Sequence, residues 1–198
     1  MNFETQLRRL ARCQYLYVAA TPGKGVGIFA AHAFAAGDLI VEDLSGDYYD
    51  EVYSLADLAA LGADLSQHAF QIGDDQYLLP NGNIDDLVNH SCEPNTGIQL
   101  LPEGYRMIAL RDIARDEELT YDYSTYISNA DEQLRCLCGA PACRGLIGPF
   151  NTLPEQRQRL YRRFNVVGAF VLAPMPVASP PFPSAARAPQ APGIGPTG

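Results

Sequence analysis

Three of the chain's five cysteines fall within eight residues, in "CLCGAPAC" at 136–143. Thiols spaced C-x-C-x4-C, in a chain with an odd cysteine count, do not make a disulfide framework. They suit a tetrahedral ion such as Zn²⁺, which requires four ligands. Gly139, Pro141 and Gly145 supply the tight turns that such a loop needs. No further Cys and no His lies nearby in sequence, so the fourth ligand has to come from a distance. Cys13 and Cys92 remain, and Cys92 sits in the unusual stretch "NHSCEPNT" at 89–96. The expected ligand set is therefore Cys92, Cys136, Cys138 and Cys143, with buried free thiols as the plain alternative. Thiolate ligation implies a reducing intracellular compartment, cytoplasmic in a bacterium and cytoplasmic or nuclear in a eukaryote.

The rest of the chain reads as mostly β. "GVGIFAA", "GDLIVED", "HAFQIG", "QYLLP", "TGIQLL" and "YRMIALR" are short β-rich runs punctuated by Gly, Asp and Pro. Asp74–Asp75 and Glu103–Gly104 are expected to turn hairpins. Ser54 can cap a helix over "LADLAAL", with Asp57 completing a capping box and Gly62 stopping it. After Pro154, "EQRQRLYRRFNVVGAF" places Leu160, Phe164 and Val167 on one stripe and predicts a longer helix. Residues 173–198 hold eight of the fifteen prolines and one charge, Arg187, which predicts a solvated tail without a core.

The 198 residues carry a formal net charge of −9. Such a surface repels phosphate and argues against direct nucleic-acid binding, while it suits a Lys/Arg-rich partner. No stretch approaches the roughly 18–20 uninterrupted apolar residues of a membrane span. Arg8, Arg9 and Arg12 break the N-terminal apolar run, so no secretory signal is expected.

Two further stretches carry little meaning alone. In "TPGKGVGIFAA" at 21–31, Gly23, Gly25 and Gly27 permit close backbone approach, yet a Gly-Lys-Ser/Thr phosphate loop is absent. In "EELTYDYSTY" at 117–126, a strand would point Tyr121 and Tyr123 to one face, as core or as the wall of a slot.

In combination and in this order, K-G-x-G, N-H-S-C-x-P-N, E-E-L-T-Y-D-Y and C-x-C-x4-C-R-G resemble the SET-domain protein lysine methyltransferases with a post-SET zinc knuckle. The resemblance covers roughly residues 15–150 and carries no cysteine-rich pre-SET region. It implies a SET-domain fold of short curved sheets with a knot-like threaded segment. It implies a SET domain over 1–135, with an N-terminal extension and a helical insert near 54–62. A zinc knuckle over 136–150, a C-terminal helix over 151–172 and the tail over 173–198 would follow.

The same resemblance assigns roles. S-adenosylmethionine would lie against the backbone of Lys24, Gly25, Val26 and Gly27, held by Asn89 and His90, with Leu137 packed on its adenine. Cys92 would be the fourth zinc ligand, in agreement with the metal argument. Tyr123 would close the methyl-transfer channel. Tyr121, at a position that is Phe or Tyr in the family, would bias the product toward monomethyl-lysine. Asp86 stands where the family often carries Arg, and Leu44 where it often carries an aromatic. Asp85 and Asp86 would favour a basic peptide if they line the substrate groove. The expected function is methyl transfer to a lysine of a basic protein or peptide. The alternatives are a SET-like module that binds a basic partner without turnover, and a redox thiol protein.

Overall fold

The computed structural model describes residues 15–62, 68–82, 84–128 and 133–172. The N-terminal extension before residue 15 and the proline-rich segment 173–198 lie outside the described residues. Among the described residues, eleven short strands form five small sheets, and no helix is long and apolar enough to cross a membrane.

Turn residues set the strand lengths. β1 (Leu16–Thr21) and β2 (Gly25–Ala30) pair antiparallel across a turn in which Gly23 and Gly25 take positive φ. β4 (Phe70–Gly73) and β5 (Gln76–Leu78) pair across Asp74–Asp75, with Asp75 at φ 51. β3 (Leu39–Asp43), β8 (Gly104–Ala109) and β7 (Thr96–Leu101) form the largest sheet, in the order β3-β8-β7. Helix α1 (Leu55–Leu61) begins where the sequence predicts. The Ser54 side chain accepts from the Asp57 N–H, the Asp57 carboxylate accepts from the Ser54 N–H, and Gly62 ends the helix.

Two two-residue strands decide where the site forms. β6 (Asn89–His90) runs parallel to β9 (Thr120–Tyr121), with Asn89 opposite Thr120 and His90 opposite Tyr121. Parallel neighbours require a long crossover, and here the chain builds the β7–β8 hairpin before returning. The Ser91 N–H then bonds the Tyr121 carbonyl at 3.0 Å. β10 (Leu134–Arg135) and β11 (Leu146–Ile147) flank the cysteine loop.

The predicted helix over 151–172 is broken. A 3-10 turn spans Phe150–Thr152, α2 spans Glu155–Arg163 and α3 spans Ala169–Leu172. Asn165 takes φ 53, its N–H bonds the Arg162 carbonyl at 3.1 Å, and the Val166 N–H bonds the Tyr161 carbonyl at 3.0 Å. That pair of bonds is a Schellman stop, with Asn in the position glycine usually takes. It frees Val166 and Val167 to join Leu110, Phe150, Leu153 and Tyr161 in a core of their own. The main core lies between the sheets, around Ile28, Ile98, Met107 and Leu119.

Candidate functional site

Cys92 and the thiols of the 136–143 loop lie close together. Cys92 Sγ lies 3.6 Å from Cys136 Sγ, and Cys143 Sγ lies 3.6 Å from Cys136 Sγ. Tetrahedral Zn–S bonds of about 2.3 Å place neighbouring sulfurs at close to this separation. Backbone N–H groups surround them: Arg144 N to Cys92 Sγ at 3.4 Å, Cys138 N to Cys136 Sγ at 3.5 Å and Gly145 N to Cys143 Sγ at 3.4 Å. Such donors stabilise thiolates. Burial raises Cys138, but bonds from the backbone and from neighbouring thiols outweigh it and lower the thiol to about 6.

His90 belongs to the same cluster. Its ring, Cys92, Cys136 and Cys138 offer ligand atoms that all lie within 4.8 Å of one another. The hydrogen bonds argue against ligation by the ring. Nδ1 accepts the Tyr123 N–H at 3.2 Å, and Nε2 stands 3.4 Å from Cys92 Sγ. Burial, helped by Arg144 and Lys24 and opposed by Asp122, lowers the imidazole to about 4, so the ring is neutral. A neutral ring that accepts at Nδ1 carries its proton on Nε2. Nε2–H therefore donates to the Cys92 sulfur.

Tyr123 joins the two halves of the site. β9 ends at Tyr121, and Tyr123 opens a 3-10 turn over Tyr123–Tyr126 rather than extending a strand. The two rings are neighbours nonetheless, 4.7 Å apart and tilted by 42°. The Tyr123 hydroxyl donates to the Val88 carbonyl at 3.0 Å, and its ring packs against both the main core and the Cys92–Cys136 cluster. Burial and then the Glu118 charge raise this phenol to about 12, so it is a neutral hydroxyl. Tyr121, 7% exposed, is also raised well above its ordinary value by burial.

The glycine turn sits beside Asn89. The Asn89 amide donates to the Val26 carbonyl and to Glu118 Oε1, both at 2.9 Å, and Lys24 Nζ pairs with Glu118 Oε2 at 2.8 Å. A Cβ on Gly27 would stand 2.7 Å from Thr21 Oγ1, 2.8 Å from Glu118 Oε1 and 2.9 Å from Asn89 Nδ2, so these side chains would have to shift to admit it. Leu137 is 62% exposed, an apolar side chain left at the surface between two cysteines.

Sequence reasoning missed the polar knot beneath the site. The Asp122 side chain, 0% exposed, accepts from Arg144 Nη1 at 2.8 Å and Nη2 at 2.7 Å, from the Tyr161 hydroxyl at 3.1 Å and from the Ser124 N–H at 3.2 Å. The fork of Arg144 thus ties the cysteine loop to β9, and Tyr161 ties α2 to the same carboxylate. Arg144 next to Cys143 was a visible signal, but its partner was not.

Comparison with known proteins agrees with this arrangement. The family model for the SET domain matches residues 25–124. Histone-lysine N-methyltransferase ATX2 of Arabidopsis thaliana is 36% identical over 145 residues, which cover 68% of this chain and 13% of that protein. The H3 lysine-4 specific histone-lysine N-methyltransferase of Saccharomyces cerevisiae is 33% identical over 129 residues, 61% of this chain and 12% of that protein. The chain spans about an eighth of the length of these curated relatives. Among solved structures, Arabidopsis thaliana SUVH6 in complex with SAM superposes with a TM-score of 0.53 at 22% identity, covering 67% of this chain and 33% of that one. The methyltransferase domain of human SETMAR superposes with a TM-score of 0.50 at 21% identity, covering 68% and 58%.

Proposed function

Because this chain belongs to the SET-domain family, we propose that it transfers a methyl group from S-adenosylmethionine to the side-chain amine of a lysine in a basic protein. The observation that carries this reading is the position of Tyr123. It bridges the Tyr121 ring, the His90 imidazole and the thiol cluster while keeping a neutral hydroxyl.

When bound, the cofactor supplies a sulfonium methyl group for in-line attack by an amine. The remaining work is positioning and desolvation. Walls of Tyr121 and Tyr123 disfavour an ammonium by burial, so a lysine entering between them loses its proton more readily than in water. A neutral Tyr123 orients the lone pair and takes no proton. The backbone of Lys24, Gly25, Val26 and Gly27, drawn against Asn89, is the cradle for the cofactor. Both His90 ring nitrogens are engaged, so His90 contributes to the cradle through its backbone and by fixing Tyr123. Exposed Leu137 is available to cover an adenine.

A structural Zn²⁺ fits the four thiols, with Cys92, Cys136, Cys138 and Cys143 as ligands and His90 donating to Cys92. Free thiols of this kind also support a reducing intracellular location. The net charge of −9 supports a basic substrate. The histone-lysine activity named for the relatives makes a lysine-rich histone-like tail the first substrate class to test. A Tyr rather than a Phe at 121, its ring 4.7 Å from the Tyr123 ring, supports a bias to monomethylation, since a water held by its hydroxyl narrows the slot.

Labelled S-adenosylmethionine incubated with a mixture of basic proteins tests the reading. Tyr123→Phe should lower transfer about 100-fold, as loss of one positioned polar group does, and Tyr121→Phe should shift products toward higher methylation by mass spectrometry. Cofactor binding with no labelled product would instead favour a binding module. Purified protein should contain one zinc per chain, and Cys138→Ser should lose it. Full metal content in that variant would refute the ligand set.

A further inference from the structure

Among the described residues one buried side-chain polar atom has no hydrogen-bond partner, Asp85 Oδ1. Native structures rarely leave such an atom unsatisfied, because a shielded carboxylate oxygen without a donor is costly. The other oxygen is satisfied: Oδ2 accepts the Tyr48 hydroxyl at 2.6 Å. Asp86, next in sequence, is spent differently, with Oδ2 accepting the Asn81 and Gly82 N–H groups at 2.9 and 2.6 Å. Asp86 nonetheless lines the same small cavity as Asp85.

Asp85 lines a cavity of about 20 Å³ with Tyr48, His68, Phe70, Leu78 and Pro80 among its walls. Such a space admits about one water-sized group, and an ammonium head is that size. The walls suit a cation. Tyr48 is 2% exposed, and its ring packs on Tyr49 and Tyr105 at 4.9 Å each. Aromatic faces with a carboxylate at their base attract ammonium groups. The cavity also shares a wall with the active site. Phe70 lines it and stands edge-on to the Tyr121 ring, centroids 6.4 Å apart.

We propose that this cavity is a second cation subsite, which takes the ammonium group of a substrate lysine neighbouring the target lysine. The inference rests on the methyltransferase reading above. Burial, then the neighbouring Asp86 charge, raises the Asp85 carboxyl to about 7, against bonds from Tyr48 and Tyr105 that lower it.

The direct test does not depend on turnover. The full chain, labelled with ¹⁵N, is titrated with methylammonium chloride against sodium and potassium chloride at equal ionic strength. Saturable shifts at Tyr48, Phe70 and Leu78 are expected with methylammonium alone, and Asp85→Asn should weaken them about tenfold or more. Equal shifts with the alkali salts, or undiminished shifts in Asp85→Asn, would mean that the cavity holds water or any small ion, and the subsite would be refuted. Should Asp85→Asn fail to fold, Phe70→Leu keeps the carboxylate and removes the aromatic wall, and it should weaken the same shifts. A second arm compares peptides with lysine or norleucine at positions flanking the methylated lysine. Wild type should prefer the lysine flank by about tenfold in KM, and Asp85→Asn should erase that ratio. An unchanged ratio would overturn the proposal. If methylammonium binds as described while no basic protein is methylated, the subsite stands and the methyltransferase reading fails.

Discussion

Asp122 is fully buried and Asp85 half-buried, and the two aspartates have opposite surroundings. Asp122 receives both prongs of Arg144, the Tyr161 hydroxyl and a backbone N–H. Asp85 Oδ2 receives the Tyr48 hydroxyl, Tyr105 also bonds the carboxyl, and Oδ1 is left without a close donor. The first carboxylate is a fastener that joins three parts of the chain. The second holds unspent hydrogen-bonding capacity beside an aromatic wall of the slot. Buried charge can therefore mark either a structural joint or a place kept for a ligand, and counting its donors separates the two.

The largest expected effect comes from breaking the fastener. Arg144→Met leaves Asp122 buried and unpaired, and loss of one partner from such a pair costs about 3–5 kcal/mol. Thermal or urea unfolding measures it, and adding Asp122→Asn should restore a good part of the loss. A fall of less than 1 kcal/mol would make Arg144 an ordinary surface residue.

Asp85→Asn should do the reverse and stabilise the protein. The Asp85 carboxyl is raised from its ordinary value of 3.8 to about 7, so between those values the folded state binds more protons than the unfolded chain. Stability is then lost as pH rises from about 4 to about 7, and above that the penalty is complete. The gain from Asp85→Asn should be small near pH 4 and reach roughly 2–4 kcal/mol at pH 8. An equal gain at both pH values would show that the carboxylate carries no such penalty. Tyr161→Phe sharpens the comparison at the lower end. It removes one of several bonds to Asp122 and should cost about 1 kcal/mol, with metal content unaltered.

Much of this was legible because it depends on neighbours in sequence. Ser54, Asp57 and Gly62 specify α1 through a capping box and a stop that need nothing beyond the segment itself. Asp74–Asp75 turns its hairpin for the same local reason. The tight cysteine spacing demanded a distant fourth ligand, and Cys92 could be named because few candidates existed. The break after Arg163 was not legible. Asn165 reads as one polar residue in a helical stripe, and only the burial of Val166 and Val167 against Leu110 and Phe150 makes the left-handed stop worthwhile. Neither was the His90 tautomer, which depends on a Tyr123 N–H 33 residues away.

Residue types at fixed spacing determined the strands, the turns, the thiol set and the order of motifs that identifies the family, because each follows from local backbone geometry or ligand chemistry. Tertiary structure alone decided which charges meet. Asp122 finds Arg144 and Asp85 finds no partner for Oδ1 because the parallel pairing of β6 with β9 folds distant segments over one another. The energy of a buried charge depends on donors that no local pattern specifies.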